Sequence, residues 1–339
     1  MARAVRPCSN GRMIRLAFAP ADLAGVRFAH SPMAEVIASS VALTKPDQFW
    51  MYASWRAQVR PVLAAARLET FLAVVARRRS WVPDFLSPVP AIARPLLRDE
   101  LATIAQTPLD RVAWEVAYAW RGVSDVPPVI ARFERDPAGG LAVLLREIRQ
   151  YFELALAPYW PRLRAAAEAE IAHRARAATE HGPRALIRDL HPSLSWDETA
   201  LRIGHGGGEV DFGLDGHGLA LLPSGFAGPK VFAVTETAQG RALWYPPRGY
   251  GALWDGTARS EPTAALAALL GPTRAAVLTL LEVPHSTGEV AAALGLAAAT
   301  ASHHLTTLRD AGLIAGSRVG RKLEYLRTGL GEQLGGGAG

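Results

Sequence analysis

Cysteine, lysine and long apolar runs are all scarce in this sequence. Cys8 is the single cysteine among 339 residues, so the chain holds neither a disulfide framework nor a cysteine-built zinc site. Half the residues are hydrophobic and mean hydropathy is +0.10. Even so, no stretch reaches the roughly 18 uncharged apolar residues that a membrane-spanning helix needs. Residues 1–11 are polar and the apolar patch at 14–20 is short and carries Arg15. No secretory signal is predicted, and the cytoplasm is the expected compartment. Lys45, Lys230 and Lys322 are the only lysines among 37 basic residues, which against 31 acidic ones leave a net charge of +6. A basic excess invites a nucleic-acid reading. Here it is almost wholly arginine beside abundant Ala, Gly and Pro, a pattern that GC-rich coding also produces. Clusters such as Arg77-Arg78-Arg79 are more often solvated faces than binding sites.

The length suits two or three domains. Residues 1–12 lack periodicity and are expected to be a disordered tail. From 13 to about 194 the chain reads as a helical N-terminal domain, with Ser31-Pro32 as a helix start and a long Arg/Ala/Glu helix over about 161–179. A proline-dense connector at 81–90 forbids helix, yet its Trp81, Val82, Phe85 and Leu86 ask for burial, so an ordered loop pinned to the core is predicted. Residues 195–256 alternate over short runs separated by Gly, Pro and Asp, which predicts a strand-rich subdomain. Residues 329–339 are expected to be a second disordered tail. The fold class is mainly α with smaller β elements (α+β).

The informative stretch lies within 257–328. Gly271-Pro272-Thr273-Arg274 opens a helix with Val277, Leu278, Leu280 and Leu281 at helical spacing. Ser286 and Glu289 fit a capping box at the start of the next helix, and Gly295-Leu296 supplies a tight turn. A third helix covers about 298–311 and stops at Gly312. Two short helices joined by such a turn make a helix-turn-helix. At 100° per residue, Ala301, Leu305 and Leu308 share one side of the third helix. Ala299, Ser302, His303 and Thr306 fall opposite, with Thr300 and Thr307 beside them. A small, polar outer face suits entry into a DNA major groove, although an ordinary solvated face has the same pattern. The residues after Gly312 separate the two. Residues 313–317 and 323–327 read as strands around Arg318, Gly320, Arg321 and Lys322, a wing with three cations at its tip. From 297 to 327 there are five basic residues, including Arg309 and Arg327, against two acidic ones, whereas 261–339 as a whole balances at six of each. Positive charge is concentrated where a phosphate backbone would be straddled.

Leu294-Gly295-Leu296, Ala301-Ser302-His303-His304-Leu305, the run from Leu308-Arg309 to Leu313-Ile314, and Gly320-Arg321-Lys322 with Tyr325 together resemble the ArsR-type winged-helix transcriptional regulators. The likeness covers about 65 residues. It implies a homodimer that binds double-stranded operator DNA, usually a repressor released by an effector. It also implies that Ser302, His303 and Thr306 meet base edges and Arg318, Arg321 and Lys322 the phosphates or minor groove, with Thr300 and Arg309 among the DNA-binding residues. Two departures stand out. Metal-sensing members carry a Cys-rich motif on the helix before the recognition helix, where this chain reads Thr287-Gly288-Glu289-Val290-Ala291, so thiolate metal sensing is not expected. Where the family usually caps the recognition helix with Ser or Thr, Ala297-Ala298-Ala299 stands instead. Leu16-Ala17-Phe18, the Pro83–Pro88 loop and Leu221-Leu222-Pro223-Ser224 further resemble an actinobacterial subgroup of long ArsR-type regulators, whose extra domain has no assigned function.

Elsewhere the motifs are weak. Gly204-His205-Gly206-Gly207-Gly208 resembles an esterase oxyanion element, but no G-x-S-x-G elbow accompanies it and Pro223-Ser224-Gly225 is a poor substitute. His181, His191, His205 and His217 with Asp211 or Asp215 match no metal spacing. No catalytic residue, metal ligand or cofactor is expected. Trp50, Trp55, Trp114 and Tyr118 are read first as core, and alternatively as the lining of a small-organic-effector pocket, with Asp84, Glu115 and Arg121 as possible orienting groups. Two other readings stay open: an enzyme fused to a winged helix, and an N-terminal region that serves only as an interaction scaffold.

Overall fold

Met13-Ile14-Arg15-Leu16-Ala17 buries every second side chain, the period of a half-buried strand. It forms β1 (Met13–Ala17), followed by β2 (Val26–Phe28), where the sequence pattern suggests helix. Their alternation is real but only five and three residues long, too short to stand out against the helical pattern after it. The computed structural model describes residues 13–75, 82–197, 199–204, 209–214, 216–237, 240–254, 262–281, 283–319 and 322–335. Contacts divide the chain into two units, Met1–Asp255 and Gly256–Gly339. The architecture is mainly α with smaller β elements.

In the first unit, α1 (Pro32–Thr44), α2 (Ala53–Ala65), α3 (Glu69–Val75), α4 (Leu97–Ala105), α5 (Leu109–Ala119), α6 (Pro128–Arg135), α7 (Pro137–Tyr151) and α8 (Trp160–His181) precede the remaining strands. These are β3 (Leu194–Trp196), β4 (Ala200–Ile203), β5 (Glu209–Gly213), β6 (Leu219–Pro223), β7 (Phe232–Thr237) and β8 (Gly240–Tyr245). Ser31 caps α1, its hydroxyl accepting from the Ala34 amide at 3.0 Å, and Pro32 presets the first turn. Residues 32–42 are buried without a break, so α1 is the central helix of the α layer.

The strand-rich stretch is not self-contained, because both N-terminal strands complete its sheets. One sheet runs β3-β4-β1-β5 and the other β2-β6-β8-β7. β1 lies antiparallel to β4 and parallel to β5, and β6 lies parallel to both β2 and β8. Leu219, Leu221, Leu243 and Tyr245 face the core shared with Ile14, Leu16, Leu201 and Ile203. Their alternates Ala220, Leu222, Ala242 and Trp244 face the helices. The second sheet is thus a wall between two apolar cores, which is why all five residues of β6 are buried. Close approach at its edge requires glycine: Gly218 has φ +71°, and a Cβ there would lie 2.4 Å from the Gly25 carbonyl oxygen.

Buried glutamates cap backbone amides far away in sequence. Glu35 accepts from Ser224 Oγ and Gly225 N, both at 2.8 Å, and from Phe226 N at 3.2 Å. Glu100 accepts from Ser31 Oγ and Met33 N at the start of α1. Glu147 accepts from Phe71 N, and Glu170 accepts from Arg248 N, Arg248 Nε and Arg174 Nε. Glu115 accepts from Phe85 N and Arg111 Nε. This last contact holds the proline-rich loop, whose Phe85, Leu86 and Val89 are buried as their composition requires. Trp81 lies outside the described residues.

The second unit comprises α9 (Pro262–Leu270), α10 (Pro272–Leu280), β9 (His285–Ser286), α11 (Thr287–Leu294), α12 (Ala298–Asp310), β10 (Ile314–Val319), β11 (Lys322–Arg327) and α13 (Gly329–Gly335). Its three-stranded sheet runs β10-β11-β9. Its core gathers Val277, Leu278, Val290, Ala301, Leu305 and Leu308 with Tyr325. Composition predicts a tail from 329, but 329–335 is helical. Thr328 Oγ1 accepts from Gly331 N and donates to Gly312 O, a cap supplied from the preceding strand end. Among the described residues no helix is long and apolar enough to cross a membrane.

Candidate nucleic-acid interface

The second unit is built by local signals. Ser286 Oγ accepts from Glu289 N, and Glu289 Oε2 accepts in return from Ser286 N at 2.8 Å, the predicted capping box of α11. Gly295 takes φ +62°, and Leu296 N donates to Ala291 O at 2.9 Å, closing the helix and turning the chain. α12 then follows Ala297, an N-cap residue that offers no side-chain cap.

The faces of α12 divide as the 100° spacing requires. Ala301, Leu305 and Leu308 are buried, while Thr300, Ser302, His303, Thr306 and Arg309 are exposed. Thr307 is half-buried, and its hydroxyl donates back to His303 O. Ser302, His303 and Thr306 therefore form one small polar surface. Neighbouring His304 turns inward. Its Nδ1 is buried without a hydrogen-bond partner; burial foremost, and then the Arg274 charge, hold its pKa below the ordinary histidine value. Arg309 sits in the last turn and pairs with Asp310 Oδ1 at 3.1 Å.

β10 and β11 pair antiparallel from Ile314↔Arg327 to Val319↔Lys322. Arg318 is exposed on β10. Gly320 and Arg321 lie outside the described residues, as does the side chain of Lys322. Arg327, counted above with the basic residues, has a different role. Its Nε donates to Leu278 O at 2.6 Å and a terminal nitrogen donates to Thr279 O at 2.8 Å. It thus holds the last carbonyls of α10, where a cation is favoured. Spacing alone gives no sign of this.

The four aromatic candidates of the first unit do not converge. Trp55 is buried against Phe226 and Trp254, and its Nε1 donates to Ala155 O. Trp50 is 71% exposed. Trp114 and Tyr118 stack on each other at 5.1 Å, one helical turn apart on α5. A cavity of about 570 Å³ lies instead between β2, the start of α1, the 93–97 segment and α8. His30, Phe152 and Trp160 line it, and none of the four candidates does. Trp160, Arg164, Glu168 and Ala172 fall at i, i+4 spacing along α8, which makes one ridge of that helix a wall. That spacing is visible in the sequence, but the opposing wall comes from residues more than 60 positions away.

The weak motifs resolve individually. Ser224 is buried, with its hydroxyl donated to Glu35, and is not an exposed nucleophile. Glu115 is occupied by the Phe85 amide and Arg111. His191 bonds Ser193 Oγ at 2.7 Å, and burial lowers its pKa. His181 and His217 are exposed, whereas His205 and Asp215 lie outside the described residues. Among the described residues no three His, Cys, Asp or Glu side chains are grouped to hold a metal.

Comparison with known proteins points to the same segment. A helix-turn-helix domain family matches residues 269–316, so the chain carries a helix-turn-helix domain at its C-terminal end. It is 36% identical over 72 residues to the HTH-type transcriptional regulator NmtR of Mycobacterium tuberculosis. That match covers 21% of this chain and 60% of the relative, so the chain spans less than two thirds of the relative's length. No solved structure gives a significant match.

Proposed function

We propose that this chain is a DNA-binding transcriptional regulator of the ArsR type, a homodimeric repressor released by a small organic effector that binds in the first unit. The observation that carries the DNA-binding reading is the exposed polar surface of α12, Ser302, His303 and Thr306, standing on the apolar stripe Ala301, Leu305 and Leu308 beside a β-hairpin that carries Arg318. In this reading α12 enters the major groove, Thr300 and Arg309 flank the reading face, and Arg318, Arg321 and Lys322 meet phosphates. The recognition helix lacks a capping side chain that could bond to DNA, which shifts weight to backbone contacts. Exposed Leu269 on α9 and Leu330 and Leu334 on α13, two helices that pack together, form the apolar surface assigned to the second copy. An effector acts by binding one dimer geometry better than the other. Operator DNA places the working protein in the cytoplasm.

The test is a mobility-shift titration of the full chain on the DNA upstream of its own gene, over a salt series and with shuffled competitor. Tight, competitor-resistant binding at a two-fold-symmetric site is expected. Arg318→Ala with Arg321→Ala removes two phosphate contacts from each copy of the dimer, and at about 0.9 per contact should lower the magnitude of the log-affinity against log-salt slope by about 3.6. Ser302→Ala or His303→Ala should change sequence preference and leave that slope intact. Binding that salt abolishes and any competitor displaces would overturn the reading.

A further inference from the structure

We propose that the cavity beside α8 is a binding site for an amphipathic organic acid, its carboxylate held by Arg94 and Arg164 and its apolar body laid against Trp160 and Phe152. The inference deepens the effector reading above and rests on it only for the consequence on DNA. Size comes first: about 570 Å³ falls within the range of cavities that enclose small organic ligands.

The lining is divided by chemistry. Phe28, Pro32, Phe152, Trp160 and Ile171 give an apolar floor. His30 lies parallel to the Trp160 indole at 4.6 Å, and Phe152 meets the same ring edge-on at 5.2 Å. Flat rings are therefore already stacked where a planar or chain-like body would lie. His30 is 4% exposed, and its Nε2 makes no hydrogen bond, with Glu35 Oε1 at 3.5 Å. Phe152 begins a π-helical turn, Phe152–Leu156, between α7 and α8; such turns recur at functional sites.

The rim carries the charge. Arg94 Nε and Arg164 Nε both approach one oxygen, Glu168 Oε1, at 3.2 and 3.7 Å. Two guanidiniums thus share one carboxylate, leaving a surplus positive charge at the mouth of an apolar cavity. A second carboxylate balances the set, and guanidinium forks match its geometry. An apolar tail with an anionic head is the ligand shape that satisfies both parts.

Calorimetric titration of the full chain with octanoate and 3-phenylpropionate, each beside its neutral amide, tests the site. Each acid should bind at least about tenfold more tightly than its amide. Arg94→Gln with Arg164→Gln should erase that preference; both residues are largely exposed, so the fold should tolerate the change. Trp160→Leu should weaken acid and amide alike. No binding of either acid at millimolar concentration, amide binding as tight as acid binding, or a preference that survives the double substitution would each overturn the proposal. Mobility shifts with saturating acid separate the two readings. Acid binding that leaves the DNA complex intact keeps the cavity and removes the effector role, whereas loss of the complex supports both.

Discussion

In Met1–Asp255, Glu35, Glu100, Glu115, Glu147 and Glu170 lie buried together with Arg56 and Arg174, whereas among the described residues of Gly256–Gly339 no charged side chain is buried. The two units solve one problem differently. Helix starts and tight turns leave backbone amides without partners. In the second unit neighbours supply the caps: Ser286 and Glu289 at the start of α11, Thr328 at the start of α13. In the first, local caps such as Ser31 at α1 and Asp136 at α7 are joined by carboxylates that arrive from far along the chain, Glu100 to Met33 N, Glu147 to Phe71 N and Glu35 to Gly225 N. Local caps can form as their helix forms, but remote ones require the whole unit to be assembled. The first unit therefore depends on a few buried carboxyl groups as acceptors for amides that no neighbour caps.

The sharpest way to break that contrast is Glu35→Ala. It removes the acceptor for Ser224 Oγ and for two buried amides. At about 1–3 kcal/mol for each unsatisfied buried group, partly offset by relaxation, a loss of about 3–5 kcal/mol is expected. All nine tryptophans lie between 50 and 254, so urea unfolding followed by tryptophan fluorescence reports the first unit alone. A loss below about 1 kcal/mol would show that the remote cap is dispensable.

A second test uses protons. Burial pushes the Glu100 carboxyl up to about 7, against the opposing hydrogen bonds from Ser31 and Met33. In the unfolded chain it titrates near 4.5, so between these values the folded state binds the extra proton. Stability from this group is complete below pH 4.5, falls as pH rises through 7, and levels off above it. Glu100→Gln should flatten that decline in the urea midpoint. An unchanged decline would place the pH sensitivity elsewhere.

The smallest effects belong to the second unit. Ser286→Ala should destabilise α11 by about 1 kcal/mol, and Ala297→Ser should stabilise α12 by up to about the same amount. Ala297 already has the extended backbone of a cap residue, φ −64° and ψ 144°. Amide hydrogen exchange across the two helices reads both changes. Protection lost well beyond these helices would mean that caps in this unit also act at a distance.

The comparison explains which parts of the molecule are legible in the chain. The capping box, the Gly295 turn and the buried stripe of α12 are contained in spans of four to eight residues, and all three can be read from neighbours. So can the burial of the proline-rich loop, whose composition demands it. β1 and β2 escape such reading because their strand character depends on partners nearly 200 residues away, Leu201 for Leu16 and Leu219 for Val26. The four candidate aromatics are two local pairs, Trp50 with Trp55 and Trp114 with Tyr118, yet the cavity is lined by His30, Phe152 and Trp160, which no spacing rule links. Arg327 groups with the wing cations in sequence because its binding to the α10 carbonyls is likewise a contact across 48 residues or more.

The amino-acid sequence by itself determined the helix-turn-helix: its apolar period, its caps and the polar surface of α12 are set by neighbours within a few turns. Only the tertiary structure decided that the N-terminal strands complete both sheets, that glutamates hold distant loops, and that two arginines share one carboxylate above an apolar cavity. The physical reason is range. Periodicity and capping act over one or two helical turns, whereas burial and charge pairing depend on which distant segments the assembled core brings together.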